Sequence, residues 1–171
     1  MQPASRTMIE LLPLTQKAAR AFVNDVHRHL SYPTGDVCRV GLSVDGELQA
    51  AAVAGRPGAR MLNDGRTLEI TRVASGAQPC VNASTRLYGA IRRAGLALGW
   101  KRFVTYTRCD EPGDSLRAAG FKDCGLTDGG EWDRPSRRRK PATQPCRKRR
   151  WMWPCPKCSK GQCNCEVSEC Q

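Results

Sequence analysis

The chain has 171 residues, with 28 Lys and Arg against 16 Asp and Glu for a formal net charge of +12, and 40% of it is hydrophobic. That composition suits one ordinary domain core plus an appendage, and no apolar run approaches the length of a membrane-spanning helix, which excludes a membrane partner. The N-terminal stretch MQPASRTMIELLPL lacks the basic-then-apolar order of a secretory signal, so a cytoplasmic protein is expected.

In chain order, LTQKAARAFVNDVHRHL reads as a first helix, with Thr15 as its N-cap and Ala18, Phe22 and Val26 at helical spacing. Tyr32-Pro33-Thr34-Gly35 breaks it. DVCRVGLSVDGELQAAAVAGR follows as two strands around Asp45-Gly46, a strong hairpin signal. After the turn-rich RPGARMLNDG comes a third strand, TLEITRVAS. Its alternation sets Leu68 and Ile70 on one face and Glu69, Thr71 and Val73 on the other.

The junction QPCVNASTRLYG leads into a helix from about Ala83 to Leu98, with Leu87, Ile91, Ala94 and Leu98 on its apolar stripe. Gly99 stops it, and KRFVTYTRC reads as a fourth strand. GDSLRAAGF is a short helix ending at Gly120, FKDCGLT returns as a strand, and GEWDRPS is a weaker final one.

Composition changes near Ser136. From Pro135 to Gln171 there are ten Lys and Arg against two Asp and Glu, leaving 18 against 14 for the first 134 residues. Six of the ten cysteines (Cys146, Cys155, Cys158, Cys163, Cys165 and Cys170) lie in this same segment, whereas Cys38, Cys80, Cys109 and Cys124 are scattered through the body. The chain therefore divides into a folded domain over 1–135 and a basic, Cys-rich tail over 136–171. CPKC resembles a zinc knuckle. A site built from Cys155 and Cys158 with two of Cys163, Cys165 and Cys170 is one reading of the tail. An oxidation-prone segment with no fixed ligand set is the other. RKRR beside Trp151 and Trp153 suits nucleic-acid contact by charge and stacking.

A strand, a helix of about four turns and a further strand form a βαβ-type unit, here preceded by a hairpin. The fold class is mixed α/β (α+β), with a sheet antiparallel early, parallel at its centre and flanked by helices. Ligands in such sheets sit where the central strands diverge, at a helix N-terminus. The backbone amides of Asn82, Ala83, Ser84 and Thr85 can receive a pyrophosphate there; Asn82 acting as a plain N-cap is the competing account.

The element order, and SLRAAGF with its closing Gly120-Phe121 pair, resemble the GNAT acyltransferase superfamily. More closely, HRHLSYPTG, GRPGARMLNDGRTLEITRVAS, NASTRLYGA, TYT, SLRAAGF and WDRPSR are similar to GNAT-like proteins of phages and plasmids, a likeness spanning roughly residues 8 to 139. The resemblance implies a GNAT-like mixed sheet, acetyl-CoA as cofactor, and transfer of an acetyl group to an amine on a small molecule or a protein. It places the cofactor along Arg72 and Val73 and at Asn82 to Thr85. Two positions depart from the family pattern. No Gln/Arg-x-x-Gly-x-Gly/Ala loop follows Val73, and Leu116 stands where many members carry a Tyr that protonates the leaving thiolate.

An acceptor amine must lose a proton before it attacks a thioester, so a base is expected. Glu69 on the central strand is one candidate, and a carboxylate paired with Arg72, Arg66 or another strand-face Arg is its alternative. Tyr106 is a candidate acid or a buried core Tyr, and Ser115 is a weaker candidate or an N-cap-region residue. His27, as base, and His29 with Tyr32, as substrate contacts, fall where the family walls its acceptor site. The two histidines also invite a metal reading, or simple placement at a helix end. Phage DNA-modifying proteins of the Mom type share the superfamily, so a DNA-binding or base-modifying role, or a non-catalytic binding role, stands beside acetyl transfer.

Overall fold

The computed structural model describes residues 7–26, 31–127 and 147–154. Strand β1 (Ile9–Pro13) leads to helix α1 (Gln16–Val26), then β2 (Cys38–Val44), β3 (Glu47–Gly55) and β4 (Thr67–Ser75). Helix α2 (Ala83–Ala97), β5 (Arg102–Arg108), helix α3 (Asp114–Ala118), β6 (Lys122–Thr127) and β7 (Lys148–Trp153) follow. The strands form one mixed sheet in the order β1-β2-β3-β4-β5-β7-β6. The β4–β5 pair is parallel, as a helical crossover requires, and its neighbours are antiparallel.

Local chemistry explains most of these elements. Asp45 and Gly46 close the β2–β3 hairpin with φ of 51° and 87°, the turn whose twist matches paired strands. Thr15 caps α1 by accepting the Ala18 N–H at 3.2 Å. The buried stripe of α1 is Ala19 and Val23, with Phe22 and Val26 half-buried. The expected Ala18 is exposed, so the apolar face is turned by one residue. In α2, Leu87 and Ile91 are buried as expected, but Leu98 is 65% exposed. Gly95 takes its place against the sheet because Phe103 leaves no room there: a Cβ at Gly95 would lie 2.4 Å from the Phe103 ring.

Two apolar layers cover the sheet. On one face α2 and α3 pack Leu87, Ile91 and Leu116 against Leu68, Ile70, Phe103 and Trp151. On the other, α1 packs Ala19 and Val23 against Val53 and Ala74.

Two strands were not anticipated. β1 lies at the sheet edge, paired antiparallel to β2 from Ile9–Val44 to Pro13–Val40. Proline is tolerated there because only one side of an edge strand needs its amides. β7 changes more. Residues 148–153, expected in the tail, run between β5 and β6, and Trp151 is fully buried. Alternation accounts for this insertion: Trp151 and Trp153 share a face and enter the α2-side core. The nucleic-acid reading is corrected for Trp151 alone. Trp151 stacks under Arg117 and donates its indole N–H to Thr107, so it is not available to stack on a base. The strand expected over GEWDRPS, the boundary near Ser136, and Cys146, Cys155, Cys158, Cys163, Cys165 and Cys170 lie outside the described residues.

Candidate active site

The parallel pair β4–β5 holds together for four residue pairs, from Thr67–Arg102 to Ile70–Thr105. Thr105 closes that segment by donating its hydroxyl to the Ile70 carbonyl at 2.8 Å. Beyond it β4 continues to Ser75, still paired with β3 on one edge and no longer with β5 on the other. A gap with an unpaired backbone edge therefore opens at the centre of the sheet.

A bulge shapes the same stretch. Val53 pairs with Arg72 and Ala54 with Ile70, which leaves Thr71 as the extra residue; its hydroxyl donates to the Val53 carbonyl at 3.1 Å. The extra residue reverses the alternation after it. Val73 joins Leu68 and Ile70 on the α2 face, while Ala74 faces α1. The expectation that Val73 shares a face with Glu69 is thus corrected. Arg72 is turned toward the α1 side, where its Nε donates to the Ser31 carbonyl at 2.9 Å and its Nη1 to the Thr71 carbonyl at 2.6 Å. Its side chain is tied to the loop after α1 and joins the surroundings of Glu69.

Helix α2 starts from the loop that follows β4. Asn82 takes a left-handed conformation (φ 61°, ψ 23°) and makes no side-chain capping hydrogen bond, so the simple N-cap account fails. Ala83 N–H reaches the Cys80 carbonyl at 3.2 Å, and among the described residues no side-chain cap covers the first-turn amides of Ser84 and Thr85. The sequence has no glycine pattern here, yet the backbone provides what such a pattern provides elsewhere. An uncapped helix start beside an unpaired strand edge fits a pyrophosphate with an extended, amide-bearing arm.

On the opposite face of the sheet, Glu69 is half-buried and accepts the Gly58 N–H at 2.9 Å. Burial pushes its pKa up, against the Gly58 amide and the positive charges of Lys148 and Arg72. Among the described residues no cation comes within ion-pair distance of Glu69, although the charges of Arg72 and Lys148 act on it. Register brings the other groups to it. Glu69 lies opposite Val104, and Tyr106, two residues on, lies opposite Arg150 of β7. Burial raises the pKa of Tyr106, and the Glu69 charge adds to this while Arg150 opposes it. Lys148, two residues from Arg150, shares that face.

The loop after α1 walls this face. Tyr32 N–H donates to Asn24 Oδ1 at 2.8 Å, and the Arg20 guanidinium stands 5.3 Å over the Tyr32 ring. The Tyr32 hydroxyl is buried beside Asp36 and Arg39, and its pKa is raised by burial and by the Asp36 charge. Val37 N–H ties the loop to the Ala54 carbonyl at 2.8 Å. Only a glycine admits that approach: a Cβ at Gly55 would stand 2.6 Å from the Gly35 carbonyl oxygen.

Glu69, Tyr106, Arg72 and Tyr32 are thus gathered on the α1 side, and Asn82 to Thr85 stand at the α2 start. Ser115 is not brought to the first group. It sits in α3, whose neighbouring Leu116 packs into the opposite layer, and Leu116 itself is a core residue rather than a site residue. His27 and His29 lie outside the described residues. Lys148 and Arg150 were missed by sequence reasoning. The signal was the alternation within KRRWMW, obscured by the surrounding charge and cysteine. Among the described residues no group of three or more metal-ligating side chains exists, and no helix is long and apolar enough to cross a membrane.

No protein-family model matches the sequence, and no curated protein matches it. Solved structures do match in fold. A Bacillus subtilis acetyltransferase in complex with CoA superposes with a TM-score of 0.56 at 14% identity, over 86% of this chain and 97% of that one. A Drosophila melanogaster polyamine N-acetyltransferase, which forms N-acetylagmatine, gives 0.60 at 10% identity, over 85% and 99%. A putative acetyltransferase from Salmonella typhimurium, solved with acetyl-CoA, gives 0.59 at 10%, over 84% and 92%. The chain has the GNAT fold, as the resemblance implied.

Proposed function

We propose that the protein is an N-acyltransferase that moves an acetyl group from acetyl-CoA to an amine on a small molecule or a protein. The observation that carries this reading is the arrangement across one gap in the sheet. A helix start without a side-chain cap from Asn82 and an unpaired β4 edge lie on one side, and the part-buried Glu69 carboxylate lies on the other. The first-turn amides of α2, from Asn82 to Thr85, would hold the pyrophosphate, and the backbone of Arg72 and Val73 would run beside the pantetheine arm. Bound there, acetyl-CoA would supply the acetyl group as a thioester.

Glu69 accepts the proton of the acceptor ammonium, directly or through a water, so that the nitrogen lone pair is free to attack. Burial raises its pKa, the direction that makes a carboxylate hold more firmly the proton it takes. Tyr106 stays protonated at neutral pH and supplies an acid on the same face. Tyr32 and the loop around it form a wall of the acceptor pocket, with the histidine pair His27 and His29 assigned to that wall by the family resemblance alone. The four described body cysteines are unpaired thiols, which suits a cytoplasmic setting.

The test is a thermal-shift titration with CoA and acetyl-CoA, followed by thiol release over a panel of amines. A ligand that binds the native state raises the unfolding temperature. Stabilisation by both ligands and amine-dependent thiol release are expected. No stabilisation at millimolar acetyl-CoA would overturn the proposal. Stabilisation without release on any amine, nucleobase-bearing DNA included, would favour the reading as a non-catalytic binding member. Release on DNA alone would favour the kinship with phage DNA-modifying proteins.

A further inference from the structure

The face that carries Glu69 is positively charged. Arg72 from β4 and Lys148 from β7 act on the Glu69 carboxylate, Arg150 of β7 lies beside Tyr106 on the same face, and none of the three takes part in an ion pair among the described residues. Other cations of the molecule are differently placed. Arg39, Arg102, Arg117 and Arg149 are matched by Asp36, Asp64, Asp114 and Asp123. Alternation along β7 makes the contrast local: Arg149 points to the α3 side and meets Asp123, while Arg150 points to the Glu69 side. There its Nε is buried with no hydrogen-bond partner. A guanidinium N–H withdrawn from water and left unpaired is costly, and such groups normally find an acceptor. An oxyanion is the acceptor that a planar guanidinium beside an ammonium recognises best.

We infer that the acceptor amine carries an anionic group, a carboxylate or a phosphate, which Arg150 and Lys148 bind while its nitrogen faces Glu69. The inference rests on the acceptor face proposed above. It runs against a polyamine-type substrate, whose second cation would meet three positive charges. It also gives β7 a role beyond closing the sheet, since the strand that fills the gap between β5 and β6 delivers both anion-binding side chains. Arg72 contributes charge to the same face but spends two of its donors on the Ser31 and Thr71 carbonyls, so it holds the loop and steers rather than grips.

The experiment uses the full chain and two readouts. The first is thermal stabilisation by inorganic phosphate and by acetate, comparing wild type with Arg150→Gln and, as a second variant, Lys148→Gln. Anion binding at the α2 start is common to all three proteins, so only the difference between them reports on this face. Wild type is expected to gain more than either variant. Equal gains, or none in wild type, would overturn the inference. A larger gain with phosphate than with acetate assigns the anion as a phosphate, and the reverse assigns a carboxylate.

The second readout is kcat/KM for matched amines at fixed acetyl-CoA: β-alanine against its amide, and phosphoethanolamine against ethanolamine. The anionic member is expected to win by about tenfold or more, and Arg150→Gln to bring the ratio near one. Preference for the neutral member would sink the inference while leaving acetyl transfer intact. Failure of CoA to bind would instead count against the acyltransferase reading, and the difference between wild type and Arg150→Gln in phosphate would still decide this one.

Discussion

A carboxylate that is to take a proton must be ionised and within reach. Glu69 meets these conditions through its neighbours: the Gly58 N–H orients one oxygen, and Lys148 and Arg72 temper the burial that raises its pKa. Glu69→Gln keeps that acceptor and removes the base. It is expected to lower kcat by about 10² to 10⁴-fold. A loss below threefold would mean that the proton leaves by another route. The same shift has a consequence for stability. Because the folded pKa is raised, the stabilising preference for the protonated form is present at acid pH and is lost as pH rises through the folded value. Glu69→Gln should therefore match or exceed wild type in urea midpoint at pH 7. That margin should shrink as pH falls into the carboxylate range. A margin that widened in acid would reverse the assigned direction of the shift.

At the scale of elements, two junctions carry the argument. The α2 start is expected to hold an anion because its amides are uncapped. Ser84→Asp places a fixed negative charge there, which should stabilise the free protein by about 0.3–1 kcal/mol through the helix dipole. The same charge should repel a pyrophosphate. The predicted signature is a higher melting temperature without CoA and a smaller shift with it; an undiminished CoA shift would remove the cofactor from this helix. The second junction is the seat of β7. Gly113 has φ of 74°, and a Cβ added there would lie 2.2 Å from the Trp151 ring. Gly113→Ala combines left-handed strain with overpacking, each on the order of 1–2 kcal/mol, and Trp151→Ala should cost about 3–5 kcal/mol. Chemical denaturation measures both. Changes under 1 kcal/mol would indicate that β7 is not seated on Gly113.

The whole molecule depends on a strand that arrives last. A chain ending at residue 135 lacks β7, leaving β5 and β6 without their common partner and the core without Trp151. It should show no cooperative unfolding. A chain ending at Pro154 keeps all seven described strands, so it should unfold cooperatively and retain its response to CoA. Circular dichroism melts of the two separate these outcomes, and a cooperative transition in the shorter chain would contradict the strand order. Cutting at the change of composition, near Ser136, would thus remove part of the domain rather than an appendage.

Much of this was legible from the sequence because it is governed by local rules. Asp45-Gly46 fixed a turn, Thr15 a helix start, and the apolar spacing of Leu87 and Ile91 the face of α2. Glu69 could be placed opposite Leu68 and Ile70 from strand alternation alone. The sequence also determined that the helix after β4 begins without the usual glycines, and the familiar element order carried the fold class. Only the tertiary structure decided the rest. The Thr71 bulge turned Val73 and Arg72 to the faces opposite those that simple alternation assigns, because an extra residue is defined by its partner strand. The position of β7 rests on pairing with β5 and β6, across residues far apart in the chain. That non-local register brought Lys148 and Arg150 to Glu69 and Tyr106, and no periodicity within KRRWMW could say which strands would receive it.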